Sequence, residues 1–195
     1  MLNFYRKSCL VILVTLLVFA FFGCQEKPKE EPKPAMPTAL EISVKKSEPI
    51  TVVYLEKKGP YSETGKAIGE LYALIGKKGL KPRNYPMGVY LDDPEKVKPE
   101  ETKYEVMSQF VGEFKGDAEL KMKEIAARNL ASIVYVGPYE KCKPAYVKIY
   151  SWIAKNKYEI AGPPIEKYLN DPSQVAPEQL KTEISVPVKE AEKIE

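Results

Sequence analysis

One gapless offset of 78 residues relates two stretches of this chain, and it constrains the fold more than any other feature. Gly59-Pro60-Tyr61 returns as Gly137-Pro138-Tyr139, and Tyr90-Leu91-Asp92-Asp93-Pro94 returns as Tyr168-Leu169-Asn170-Asp171-Pro172. The same offset matches Tyr72 with Tyr150, Ile75 with Ile153, Val97 with Val175, Lys103 with Lys181 and Glu105 with Glu183. Chance does not hold one spacing across such unlike residue types. Two copies are too few for a solenoid, in which each unit buries its apolar face on the next. They predict a pseudo-twofold domain whose halves share a core.

Each half reads alike. An alternating, β-branched run opens it, Ile50 to Leu55 in the first and Ala131 to Val136 in the second. Gly-Pro breaks the strand, and a helix is expected over about 62–78 and 140–157. Ala67, Leu71, Leu74 and Ile75 share one helical face, and Tyr146, Ile149, Tyr150 and Ile153 share the other. Tyr72 and Tyr150 therefore read as core residues. Two more strands close each half: Met87 to Leu91 with Tyr104 to Phe110, and Ile165 to Leu169 with Glu183 to Val188. The Asp-Asp-Pro and Asn-Asp-Pro motifs supply turn chemistry between them. Extra strands near Leu40 to Lys46 and Lys121 to Ile125 are expected to lead into each half. The fold class is α+β, an antiparallel sheet with two helices on one side.

The first forty residues read as an address and a tether. Arg6 and Lys7 precede a charge-free run from Cys9 to Phe22. A spanning helix needs about 20 apolar residues, so this run fits the core of a secretory signal better. It ends at Gly23-Cys24, which resembles the lipobox of bacterial lipoproteins, although Phe21 and Phe22 replace the usual leucine and small residue. Residues 1–23 are thus expected to be a signal peptide and Cys24 the site of lipid attachment. Closely spaced prolines and charges make 24–39 a semi-extended linker. The domain is expected over 40–188, with halves near 40–110 and 118–188, and a charged tail over 189–195.

Composition excludes several classes. The chain has 30 basic and 27 acidic residues, for a net charge of +3, which is no footprint for nucleic acid. Histidine is absent, removing the usual neutral-pH base and the commonest metal ligand. No CxxC or Cys/His cluster suggests a metal, no Gly-x-x-x-x-Gly-Lys motif suggests a phosphate cradle, and no cofactor is expected. Cys142 lies near a helix start, where a thiol pKa can fall, but reads as a passive small residue.

The repeat also marks a candidate site. Residues two apart on a strand project to one face, so Glu166 shares a face with Tyr168, and Gly88 shares one with Tyr90. The offset aligns Glu166 with Gly88 and Tyr168 with Tyr90. An asymmetric pocket follows, with matching tyrosine walls, one carboxylate and one gap. A solvated strand face with Tyr168 merely packed stays open on the residues alone. Glu105 and Glu183, alternate in phase to Val106 and Ile184, are weaker candidates for the same groove. Trp152, off the apolar face of its helix, is read either as a cover or as a pocket rim. Tyr61 and Tyr139, just after their turns, are structural or pocket-lining.

With these motifs in hand, and with Pro164-Ile165-Glu166-Lys167-Tyr168 and the closing Thr182 to Pro187, residues 40 to 188 resemble the GyrI-like small-molecule-binding domain, also called the AraC-type effector-binding domain. The resemblance implies paired strand-helix-strand-strand modules forming a concave sheet with helices behind it. It also implies an aromatic groove between the modules with an acidic residue at its base. Relatives sense lipophilic, often cationic compounds, and some are said to hydrolyse cyclopropane-bearing toxins.

The leading expectation is a membrane-tethered binding module for a small amphipathic molecule. Its ligand residues are Glu166, Tyr168, Tyr90, Gly88, Trp152, Tyr139 and Tyr61. One alternative is a hydrolase with Glu166 as general base and Tyr168 as hydrogen-bond donor. The other is an envelope protein-interaction module. No helix-turn-helix precedes the domain, and no nucleic-acid partner is expected. The oligomeric state stays open.

Overall fold

The computed structural model describes residues 41–191. The expected signal peptide, the whole linker with Cys24, and the end of the tail lie outside the described residues.

The elements run β1 (Ser43–Lys46), β2 (Ile50–Lys58), α1 (Thr64–Lys77), β3 (Lys81–Tyr90), β4 (Lys103–Val111), β5 (Lys121–Ile125), β6 (Asn129–Val136), α2 (Lys143–Lys155), β7 (Tyr158–Ile160), β8 (Ile165–Tyr168) and β9 (Lys181–Glu190). All nine strands join one antiparallel sheet in the order β1-β6-β9-β8-β3-β4-β2-β5, with β7 on β9. The α+β class and the two helices are as expected. Both helices start later than the sequence suggests, because Tyr61–Glu63 and Tyr139–Lys141 form a tighter 3₁₀ turn first. Strand β3 is longer than expected and shifts register between Arg83 and Met87, where Asn84 has φ of 60°.

The recurring motifs do the same work in each half. Gly59 and Gly137 sit at φ of 136° and 143°, conformations that cost a side chain dearly. Their N–H groups donate to the equivalent carbonyls of Thr102 (2.8 Å) and Leu180 (2.9 Å). Asp92 accepts from the Lys103 N–H at 2.7 Å, and Asn170 from the Lys181 N–H at 2.9 Å. Asp93 and Asp171 then close the following turns onto the N–H groups of Glu95 and Ser173. A short side-chain acceptor is required at each point, which is why Asp and Asn recur there.

The helices pack on one face of the sheet as related cores. Ala67, Leu71 and Ile75 of α1 meet Val53 and Val106; Ala145, Ile149 and Ile153 of α2 meet Ala131, Ile133 and Ile184. Each fully buried Leu, Ile or Val contributes about 1.5–3 kcal/mol relative to exposure.

Both leading strands form where expected, and the structure adds how they pair. Rather than each extending its own half, β1 pairs with β6 of the second half and β5 pairs with β2 of the first. The halves therefore exchange a strand, symmetrically. This exchange bends the sheet. Strands β1 and β2 stand six places apart, about 29 Å in a flat sheet at ~4.8 Å per strand. The link Ser47–Pro49 spans at most about 14 Å from Lys46 to Ile50. The link from β5 to β6 faces the same restriction. The sheet therefore curls, and the two links meet: the Ser47 N–H donates to the Arg128 carbonyl at 2.8 Å and the Arg128 N–H to the Ser47 hydroxyl at 3.1 Å. Inside the curl, Val52, Met87, Val89 and Met107 are buried without a helix over them.

At the seam, β3 pairs with β8 through Met87↔Lys167, Gly88↔Glu166 and Val89↔Ile165. Gly88 and Glu166 are equivalent under the 78 offset and also face each other. The pseudo-twofold axis passes between them.

Candidate functional site

Cross-strand partners share a face. Register joins Gly88 to Val106 and Glu166 to Ile184, so Gly88, Tyr90, Glu166 and Tyr168 all project to the helix-bearing face. The helices straddle the seam, and the carboxylate of Glu166 lies among side chains from both halves.

Glu166 Oε1 accepts from the Tyr146 hydroxyl at 2.7 Å, and Oε2 accepts from the Tyr168 hydroxyl at 3.1 Å. Tyr90 Oη lies 2.6 Å from Tyr168 Oη and 3.4 Å from Glu166 Oε2. Each phenol has one proton. A chain in which Tyr90 donates to Tyr168, and Tyr168 to Glu166, satisfies the short contacts. The Thr64 hydroxyl lies 3.3 Å from Tyr90 Oη but donates to the Tyr61 carbonyl at 2.7 Å, outside this chain. Glu166 and Tyr168 are each only 7% exposed. No lysine or arginine contacts Glu166 among the described residues; tyrosine hydroxyls alone solvate it.

Burial raises the Glu166 pKa, with the bonds from Tyr146, Tyr168 and Tyr90 pulling it back. Burial, and then the neighbouring carboxylate, push the Tyr90 and Tyr146 phenols up; burial and its Tyr90 neighbour do the same to Tyr168. The phenols are thus donors across the physiological range. Cys142 is half-buried, and its thiol is pushed up to about 11 by burial and by Glu166. A reactive thiolate is therefore absent at this helix start.

The structure brings most of the sequence-predicted residues together. Tyr61 stacks edge-on to Tyr90 with centroids 4.6 Å apart, and Tyr139 edge-on to Tyr168 at 5.4 Å. The Tyr61 hydroxyl is tied to the Asp92 carbonyl at 2.8 Å. The gap expected at Gly88 is filled by tyrosine hydroxyls: a Cβ there would lie 2.9 Å from Tyr168 Oη and 3.2 Å from Tyr90 Oη.

Two expectations need correction. Trp152 is not part of the cluster; it stacks on Tyr158 with centroids 5.9 Å apart and covers the second-half core. It follows Tyr146 by six residues, about 9 Å along the helix and about 240° around it. Glu105 and Glu183 do not share the groove of Glu166. They project into the curl from the opposite face, paired with Lys123 and, at 2.9 Å, Lys167.

Tyr146 is the residue whose bond to the acid helical spacing does not reveal. Its place on the apolar face marks it as core, and its ring does pack there. Only the reach of its hydroxyl past the core to Glu166 distinguishes it. Thr182, cross-strand from Tyr168, is buried with no hydrogen-bond partner for its hydroxyl.

Comparison with known proteins places this arrangement. The model of the GyrI-like small molecule binding domain matches residues 40–189. No curated protein matches the chain. Among solved structures, the EcmrR C-terminal domain superposes with a TM-score of 0.71 at 21% identity, over 79% of this chain and all of that one. In the EcmrR–DNA complex the chain spans 58% of the EcmrR chain and 78% of its own, with a TM-score of 0.70 at 20% identity. A hydrolase from Listeria innocua matches with a TM-score of 0.59 at 14% identity, over 77% and 92% of the two chains. SAV2435 bound to tetraphenylphosphonium gives 0.50 at 13% identity, over 77% and 94%. At these identities the likeness is one of fold. The family model spans most of the chain, and the chain belongs to the GyrI-like small-molecule-binding domains.

Proposed function

We propose that this protein is a membrane-tethered receptor for a lipophilic, aromatic cation whose charge is met by Glu166 between the two helices. The observation that carries this reading is a buried carboxylate, Glu166, that among the described residues is met by tyrosine hydroxyls and by no cationic side chain. A buried anion without a cation is costly, and a ligand that supplies one relieves that cost. Ring faces of Tyr90, Tyr139 and Tyr168 add about 0.5–2 kcal/mol each when a desolvated cation lies over them. A ligand entering takes the place of a tyrosine hydroxyl at the acid. The tetraphenylphosphonium carried by SAV2435, a protein of similar fold, is a ligand of this chemical kind.

Binding is favoured over hydrolysis because both Glu166 oxygens already accept from phenols, where a general base would hold water. Titration calorimetry with tetraphenylphosphonium and with neutral triphenylphosphine oxide tests the reading. The cation is expected to bind at least tenfold tighter, with affinity rising with pH as Glu166 ionises. Equal affinities would place the site elsewhere.

The tether rests on Arg6, Lys7, the apolar run to Phe22, and Cys24. Replacing Cys24→Ser is expected to move the protein out of the lipid-modified membrane fraction. A variant that runs and fractionates like the parent would make the leader an uncleaved anchor.

A further inference from the structure

The concave face, opposite Glu166, holds a cavity of about 410 Å³ that the proposed cation site leaves unused. Its volume lies in the range of small-molecule sites. The floor is Ile50, Met87, Met107, Ile125 and Ile165, and the crossing links at Ser47 and Arg128 stand at its rim. Met107, at 1% exposed, is as buried as the helix-side core.

Both cationic side chains that line this cavity, Arg128 and Lys167, come from the second half. Under the 78 offset Ile50 corresponds to Arg128, Val89 to Lys167, and Met107 to Ser185. At each of these pairs the first half is apolar and the second cationic or polar. Lys167 is engaged by Glu183 at 2.9 Å. The Arg128 side chain makes no ion pair among the described residues; its one hydrogen bond is from Nε to the Ala126 carbonyl at 3.4 Å. The one carboxylate lining the cavity, Glu48, is exposed and unpaired with it. On the helix face the second half supplies the lone anion. On the concave face it supplies the unpaired cation.

We infer that the concave cavity is a second ligand site, for a single-chain aliphatic carboxylate whose tail lies on the Met-Ile floor and whose head meets Arg128. A guanidinium fork matches a carboxylate in two parallel hydrogen bonds. Flexible thioethers adapt to a mobile chain better than to a rigid ring. The site is independent of the cation site, since the sheet separates them.

Methionine-methyl NMR on the full-length protein, titrated with dodecanoate or dodecyltrimethylammonium below their micelle concentrations, tests this. Dodecanoate is expected to shift the Met87 and Met107 methyls saturably and to leave Met122, on the helix face, unmoved. The cation with the same tail should bind the cavity at least tenfold more weakly. Arg128→Gln, which keeps the backbone bonds to Ser47, is expected to lose at least tenfold in dodecanoate affinity, with partial rescue by Arg128→Lys. Saturating tetraphenylphosphonium should not displace dodecanoate. Any of four results would overturn the inference: no shift at Met87 and Met107, equal binding of the two amphiphiles, an Arg128→Gln variant that binds as the parent does, or displacement by tetraphenylphosphonium. The comparison of amphiphiles on the parent decides even if the variants misfold.

Discussion

Replacing Glu166→Gln is expected to weaken tetraphenylphosphonium binding by about 1.5–3 kcal/mol, the scale of a charge-assisted contact in a buried site. That corresponds to roughly a 10- to 150-fold loss. The shape of the side chain is kept, so a neutral aromatic ligand should lose much less. The same variant tests the electrostatics of the ligand-free protein. Burial raises the Glu166 pKa in the folded chain. The folded state then keeps the proton to higher pH than the unfolded chain does. The stabilisation from this group is fully present below the unfolded value of about 4.3. It is lost as pH rises through the folded value. The glutamine variant lacks this dependence. Urea midpoints measured from pH 4 to pH 8 should therefore show the parent losing ground to Glu166→Gln as pH rises. A parent that gains on the variant instead would mean that the phenolic hydrogen bonds outweigh desolvation.

Replacing Gly88→Leu should cost about 1–3 kcal/mol of stability, the usual range for overpacking a filled interior. Ligand binding at Glu166 should also be lost, for cations and neutral rings alike. Backbone strain is not the reason, since Gly88 is not among the glycines with positive φ. The reason is occupancy: an added Cβ already meets Tyr168 Oη at 2.9 Å and Tyr90 Cζ at 3.3 Å. A leucine would drive these rings apart and break the 2.6 Å contact between their hydroxyls. Glu166 would then lose its Tyr168 donor while staying buried. Gly88→Ala should show a smaller loss of the same kind. Chemical denaturation of the three proteins measures the series, and a leucine variant as stable as the parent would show that the tyrosines have room to move.

Much of this molecule is legible in its amino-acid sequence. The 78 offset announces two modules, and Gly59 and Gly137, with the equivalent Asp92 and Asn170, do take equivalent places. Helical spacing locates the faces on which Leu71 and Ile149 pack, and strand alternation puts Glu166 beside Tyr168. These features are local, because a side chain's direction repeats every 2 residues along a strand and every 3.6 along a helix. Periodicity carries no information about which strand lies alongside which. The exchange of β1 and β5, and the curl it forces, are therefore products of the tertiary structure. So is the register that sets Gly88 opposite Glu166 on the axis; a one-residue slip would have turned the acid to the concave face. Strand phase separates Glu105 and Glu183 from their neighbours, but only the cross-strand pairs show that they oppose Glu166. Tyr146 and Trp152 mark the same limit from two sides. Both are aromatic residues on one helix, and the separation of about 9 Å and about 240° between them decides that one hydroxyl reaches the carboxylate while the other ring packs on Tyr158.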